Sequence, residues 1–129
     1  MEPKKNLMLV IDDNVEFRTM VSDYFTDLGF TVEIAGDGRE GLAKAKAIRP
    51  DIILCDVMMP DIGGIEVVRG LQTEDDTRAI PVCIITGSFF DKNMNDLFRQ
   101  ESNCREFLSK TVELSFLEKK VASLLAPGR

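Results

Sequence analysis

The chain has 129 residues, 44% of them apolar and 29% charged, and a formal net charge of -6. This describes one globular domain with room for a single core, and it excludes a disordered chain. The acidic balance argues against direct binding to nucleic acid or anionic lipid, and no apolar run approaches the roughly 18 residues of a membrane span.

The first apolar run, Leu7 to Ile11, reads as a strand and ends at Asp12-Asp13. It is too short for the core of a signal peptide, so the chain is expected in the cytoplasm, with Cys55, Cys83 and Cys104 reduced and buried in strands. Asn14 is a helix cap, and Phe17, Met20, Val21, Tyr24, Phe25 and Leu28 recur at helical spacing until Gly29. Phe30 to Ala35 reads as a short strand, and Asp37 to Ile48 as a helix stopped by Pro50. Ile52 to Cys55 is a continuous apolar run, as a strand covered on both faces requires, and it ends at Asp56. Pro60 and Gly63-Gly64 mark a loop before a helix lined by Ile65, Val68 and Leu71. Val82 to Ile85 is the next buried strand and ends at Thr86. Met94, Leu97 and Phe98 line a fourth helix, and Arg105 to Leu108 forms a fifth strand, near an edge, that leads to Lys110. Leu114, Leu117, Val121, Leu124 and Leu125 line the last helix, and 126–129 read as a tail or the start of a linker.

Strands alternating with helices favour a parallel sheet covered on both faces. The carboxyl ends of parallel strands share one edge, where ligands bind. Asp12, Asp13, Asp56, Thr86 and Lys110 are thereby expected in one pocket with a formal charge of -2. One divalent cation balances that charge, and ligands that are all oxygen point to Mg²⁺ or a similar hard ion. A carboxylate beside such an ion suits phosphoryl chemistry: Asp56 as nucleophile, Lys110 neutralising the transferred oxygens, Thr86 donating a hydrogen bond. A strand-terminal Asp by itself is most often only a cap, so the joint placement carries the reading.

These residues resemble the receiver domain of bacterial two-component response regulators. The motif elements are Val10-Ile11-Asp12-Asp13, Asp56-Val57-Met58-Met59-Pro60 with Gly64 following, Thr86-Gly87, and Phe107-Leu108-Ser109-Lys110. Their order and spacing match over Leu7 to Leu125, within one domain of 1–129. The resemblance implies a flavodoxin-like α/β fold with a five-stranded parallel sheet of order 2-1-3-4-5 and five surrounding helices. It implies Asp56 as phosphoacceptor. Asp13, Asp56 and the backbone carbonyl of Met58 become Mg²⁺ ligands, with Asp12 supporting through water. Thr86 and Gly87 bind phosphate with Lys110, and Phe107 is the aromatic switch. The implied donor is a sensor histidine kinase or histidine phosphotransfer protein. The implied reader is an output domain or protein on the face of the fourth helix, fifth strand and fifth helix. Such a domain is a signalling phosphoacceptor that catalyses only its own phosphoryl transfer and dephosphorylation. It contacts neither membrane nor nucleic acid directly. The absence of histidine from the chain agrees with a donor on another protein.

The sequence departs from the family's pattern in places. Thr111 stands where receivers usually have a proline after a cis bond, and a non-proline cis bond costs about 2.5–4 kcal/mol. Gly63 replaces an acidic residue, and Ser102-Asn103 replaces a glycine turn. Phe107 lacks a tyrosine's hydroxyl, and Met58 is apolar where a polar side chain would orient water.

The sequence also fits other functions in part. Gly36-Asp37-Gly38-Arg39-Glu40-Gly41 is a GxGxxG, and Asp56 lies twenty residues after Gly36, so a nucleotide-binding Rossmann-like domain is one alternative. It leaves Asp12, Asp13, Thr86 and Lys110 without a role. An aspartyl-phosphate phosphatase commonly has a second acid two residues after its nucleophile, and here that residue is Met58. A pseudo-receiver interaction module is the remaining alternative. Phe89, Phe90 and Phe116 are each either partner contacts or packed side chains.

Overall fold

The computed structural model describes residues 6–87 and 92–126. The elements run β1 (Leu7–Ile11), α1 (Val15–Asp27), β2 (Thr31–Ala35), α2 (Gly38–Ile48), β3 (Ile52–Cys55), α3 (Gly64–Leu71), β4 (Val82–Thr86), α4 (Lys92–Arg99), β5 (Cys104–Ser109) and α5 (Leu114–Leu125). All five strands are parallel, in the order β2-β1-β3-β4-β5. The expected architecture is the observed one, and Phe89 and Phe90 lie outside the described residues.

The unbroken apolar runs follow from burial on both faces. Successive side chains of a strand point to opposite sides. Leu9, Ile11, Ile53, Cys55, Val82 and Ile84 face one layer, against Ala45 of α2, Val67, Val68 and Leu71 of α3, and Phe98 of α4. Met8, Val10, Ile52, Leu54, Cys83 and Ile85 face the other, against Val21 and Phe25 of α1 and Leu117 and Val121 of α5. The sheet is thus the middle of three layers. Its edges are β2, which is largely exposed, and β5, as the weaker apolar character of that segment suggests.

Local chemistry sets the ends. The Asn14 side chain accepts from the N–H of Phe17, and that of Asp37 from Glu40. Gly29 has φ +101, a conformation glycine adopts without a steric penalty, and turns the chain from α1 into β2. The apolar stripe of α1 is narrower than its spacing suggests: Met20 and Leu28 are each 46% exposed. Phe30 precedes β2 and packs its ring edge-on against Phe25, 5.2 Å between centroids.

The turn before β5 needs no glycine, because neither Ser102 nor Asn103 has positive φ. Asn103 is buried, donates to the Val68 carbonyl at 3.0 Å and accepts from Gln72 Nε2 at 2.7 Å. Its amide therefore ties the end of α3 to the start of β5.

Candidate functional site

The order 2-1-3-4-5 reverses direction between β1 and β3, and a crevice opens there at the carboxyl ends. Asp12 and Asp13 leave β1 at that point and Asp56 leaves β3. One carboxylate oxygen from each of the three lies within 4.8 Å of the others. Asp12 and Asp56 are buried, and Asp13 is exposed. Lys110 comes in from the end of β5. Its Nζ lies 2.8 Å from Asp12 Oδ2 and 3.6 Å from Asp56 Oδ2. No cis peptide occurs among the described residues, so Lys110 reaches the pocket through a trans bond to Thr111.

Backbone donors orient the two buried acids. The Asn14 N–H donates to Asp12 Oδ1 at 2.8 Å, and the Val57 N–H donates to Asp56 Oδ1, also at 2.8 Å. Each acid thus keeps its second oxygen turned towards Lys110. Burial, and then the charge of Asp12, push the Asp56 carboxyl above its ordinary value; Lys110 and the Val57 N–H pull it back only in part.

Thr86 is buried at the end of β4, and its carbonyl accepts from the Lys110 N–H at 2.9 Å. Gly87 follows it; a Cβ there would meet Lys110 Cδ at 3.3 Å, so the bare backbone lets the lysine stem pass. Ile84 is paired with Phe107 and Thr86 with Ser109. Alternation therefore turns Phe107 to the same layer as Ile84 and Thr86. Its ring lies 5.3 Å from that of Phe98, and both line a cavity of about 440 Å³ between α4 and β5. Met58 is 60% exposed on the rim of a second groove, shared with Met59, Met94 and Leu97.

Four of the five strand-end residues thus meet through charged atoms, and Thr86 joins them through the backbone. Two further residues were not singled out by sequence. In sequence Phe17 is only one residue of an apolar stripe, yet Lys110 Nζ stands 4.6 Å from the centroid of its ring. Arg18 Nη1 donates to the Asp12 carbonyl at 3.0 Å and so fixes the end of β1. Both lie in the first turn of α1, a place that periodicity does not distinguish from ordinary core or surface.

The GxGxxG segment serves packing. Gly36 opens the β2–α2 connection, at the sheet's edge and away from the reversal point. A Cβ on Gly41 would stand 2.5 Å from Ile11 Cδ1, so this glycine lets α2 lie close on β1.

A profile of the family described as the response regulator receiver domain matches residues 8–122. The chain is 29% identical to the protein PilH of Pseudomonas aeruginosa over 119 residues, which are 92% of this chain and 97% of PilH. It is 30% identical to the polar-differentiation response regulator DivK of Brucella anthropi, over 94% of this chain and 96% of that one. Against the response regulator PleD of Caulobacter vibrioides the identity is 37% over 91% of this chain, but only 25% of PleD is covered. Among solved structures, the chemotaxis protein CheY4 of Vibrio cholerae superimposes with a TM-score of 0.87 at 30% identity, covering 95% of this chain and all of that one. The chain belongs to the response regulator receiver domain family, a family of signalling modules. No described helix is long and apolar enough to cross a membrane.

Proposed function

We propose that Asp56 is the phosphoacceptor of this receiver domain and that the acidic crevice takes Mg²⁺. One observation carries the reading: a lysine ammonium bridges two buried carboxylates, with a third close by, at the point where the sheet reverses. Oxygens within 4.8 Å of one another are close to the span of about 4.2 Å across an octahedral Mg²⁺. Burial and the charge of Asp12 both disfavour an ionised Asp56, and a cation held beside it would offset both. Asp13 and Asp56 would hold the ion with the Met58 carbonyl, and Asp12 would support it through water. When bound, Mg²⁺ supplies charge neutralisation for the transferred oxygens.

The chain's own residues account for the rest of the transfer. Asp56 Oδ2 attacks phosphorus, the bond from phosphorus to an imidazole nitrogen of the donor breaks, and that nitrogen keeps the electron pair. Asp56 Oδ1 stays on the Val57 N–H, which orients the nucleophile. Lys110, already at this carboxylate, meets the new phosphoryl oxygens. Thr86 and the Gly87 backbone complete the phosphate site.

The added charge of roughly -1.5 to -2 draws Thr86 inward, and Phe107, in the same layer, follows. The α4–β5–α5 face then changes for its reader. Phe116, 43% exposed on α5, together with the cavity beside Phe107, suits that face to a protein partner. The donor is a cytoplasmic histidine kinase or phosphotransfer protein, and the module spans residues 7–125.

Incubation with a small phosphodonor tests the assignment. Wild type should take label only with Mg²⁺, and Asp56→Asn should take none. Label on both proteins would refute it by placing the phosphoryl group on another residue, and label on neither would refute it by leaving an interaction module without phosphorylation.

A further inference from the structure

Lys110 has a third partner besides the two carboxylates, and it is neutral. An ammonium has three N–H donors on a flexible stem that loses up to about 2 kcal/mol of rotamer freedom when fixed. Asp12 and Asp56 take two directions, at 2.8 and 3.6 Å. The ring of Phe17 lies at 4.6 Å from Nζ, within the roughly 6 Å over which an aromatic face attracts a cation. The lysine side chain is only 17% exposed, so water screens this attraction weakly.

The three partners differ in how they respond to occupancy of the crevice. A divalent cation or a phosphoryl group changes the charge that Asp12 and Asp56 present to the ammonium. The quadrupole of a phenyl ring does not change. Phe17 is itself held firmly, because its N–H donates to the Asn14 cap at 2.8 Å and its side chain packs on the Phe25 layer. On the stem's path, Gly87 leaves room close to Lys110 Cδ.

We propose that Phe17 is a positioning residue for Lys110: its ring keeps the ammonium at the phosphoryl site when the carboxylates are neutralised. This rests on the reading of Asp56 as phosphoacceptor.

Two measurements on the full chain separate the proposal from that reading. In metal-free protein, ring current should shift the Lys110 ε-methylene protons upfield in NMR spectra, assigned by their loss in Lys110→Met. The shift should vanish in Phe17→Leu while the dispersed amide spectrum remains. With Mg²⁺ present, beryllofluoride serves as a phosphoryl stand-in, followed by ¹⁹F NMR. Phe17→Leu should weaken its binding about three- to tenfold, and Phe17→Tyr should restore it to within about twofold. In a Lys110→Met background, Phe17→Leu should have no further effect. An unshifted lysine signal in wild type, or an equal loss with and without Lys110, would overturn the proposal and leave Phe17 as packing alone. Beryllofluoride binding that persists in Asp56→Ala, or that is absent from wild type, would overturn the phosphoacceptor reading and the positioning role with it. The lysine shift would then still report whether the contact forms.

Discussion

Replacing Asp56 by Asn should make the metal-free protein more stable, although it removes the proposed phosphoacceptor. At an effective dielectric of about 20, carboxylates within 4.8 Å repel by about 3.5 kcal/mol or more per pair, and an ammonium at 3.6 Å attracts by about 4.6 kcal/mol. Asp13 is exposed, so water screens much of its share. For Asp56 the attraction of Lys110 and the repulsion of its neighbours therefore nearly cancel. The desolvation of a carboxylate only 7% exposed is left without compensation. This is why its pKa is raised rather than lowered. An asparagine keeps an oxygen for the Val57 N–H and drops the charge. The expected gain at pH 7 is about 1–2 kcal/mol, a rise in Tm of about 4–7 °C for a domain of this size. The sign with pH follows from linkage. A carboxyl whose folded pKa is raised destabilises the fold once ionised. Wild type should lose stability relative to Asp56→Asn as pH rises from the ordinary value of about 3.9 through the raised one, and the gap should close below about pH 3.9. Saturating Mg²⁺ should also narrow the gap, since tenfold excess over Kd stabilises the binding-competent wild type by about 1.4 kcal/mol. Urea unfolding followed by circular dichroism, with chelator and with Mg²⁺, measures all of this. An Asp56→Asn protein that is no more stable than wild type in chelator at pH 7, with unchanged m-value, would refute the argument.

Gly64→Ala should destabilise by about 2 kcal/mol or more, because its Cβ would stand 2.5 Å from the Asp56 carbonyl oxygen, and phosphorylation should slow with it; a thermal melt paired with a labelling time course checks both. Met58→Asn should alter the lifetime of the phosphorylated form, since an amide on that exposed rim can hydrogen-bond to attacking water; equal decay rates after removal of the donor would contradict this. Burial holds the thiols protonated, with Cys104 pushed up to about 11 and Cys55 and Cys83 higher still. In native protein at pH 8 a disulfide reagent should therefore react with them at least about a hundredfold more slowly than with free cysteine, and at full speed in urea.

Much of this molecule is legible from one dimension. The strand runs are readable because both faces are covered: Ile52 to Cys55 has no polar residue to interrupt it, and all four are buried. The helix starts are readable because Asn14 and Asp37 cap through their own side chains. What resists reading depends on depth within a layer. Met20 and Phe17 satisfy the same periodicity, yet one is 46% exposed and the other closes over a lysine. Asn103 looks like a turn residue, but it is a buried clamp between α3 and β5, because its partners are 31 and 35 positions away.

The crevice is the case in which long range is readable after all, and the reason is topological. In a parallel sheet each strand delivers its last residue to the same edge, so a residue's place in its strand predicts its place in space. Asp12, Asp56 and Lys110 span almost the whole chain, yet Lys110 Nζ lies within 3.6 Å of both acids. The same logic separates them from Gly36 to Gly41. That segment also follows a strand, but β2 is the sheet's edge, whereas β1 and β3 flank the reversal point. A glycine-rich turn beside an edge strand faces no second strand across a crevice, and Gly41 instead brings α2 close to Ile11. Strand order, more than motif, decides which of two plausible phosphate-handling sequences stands at the crevice where the sheet reverses.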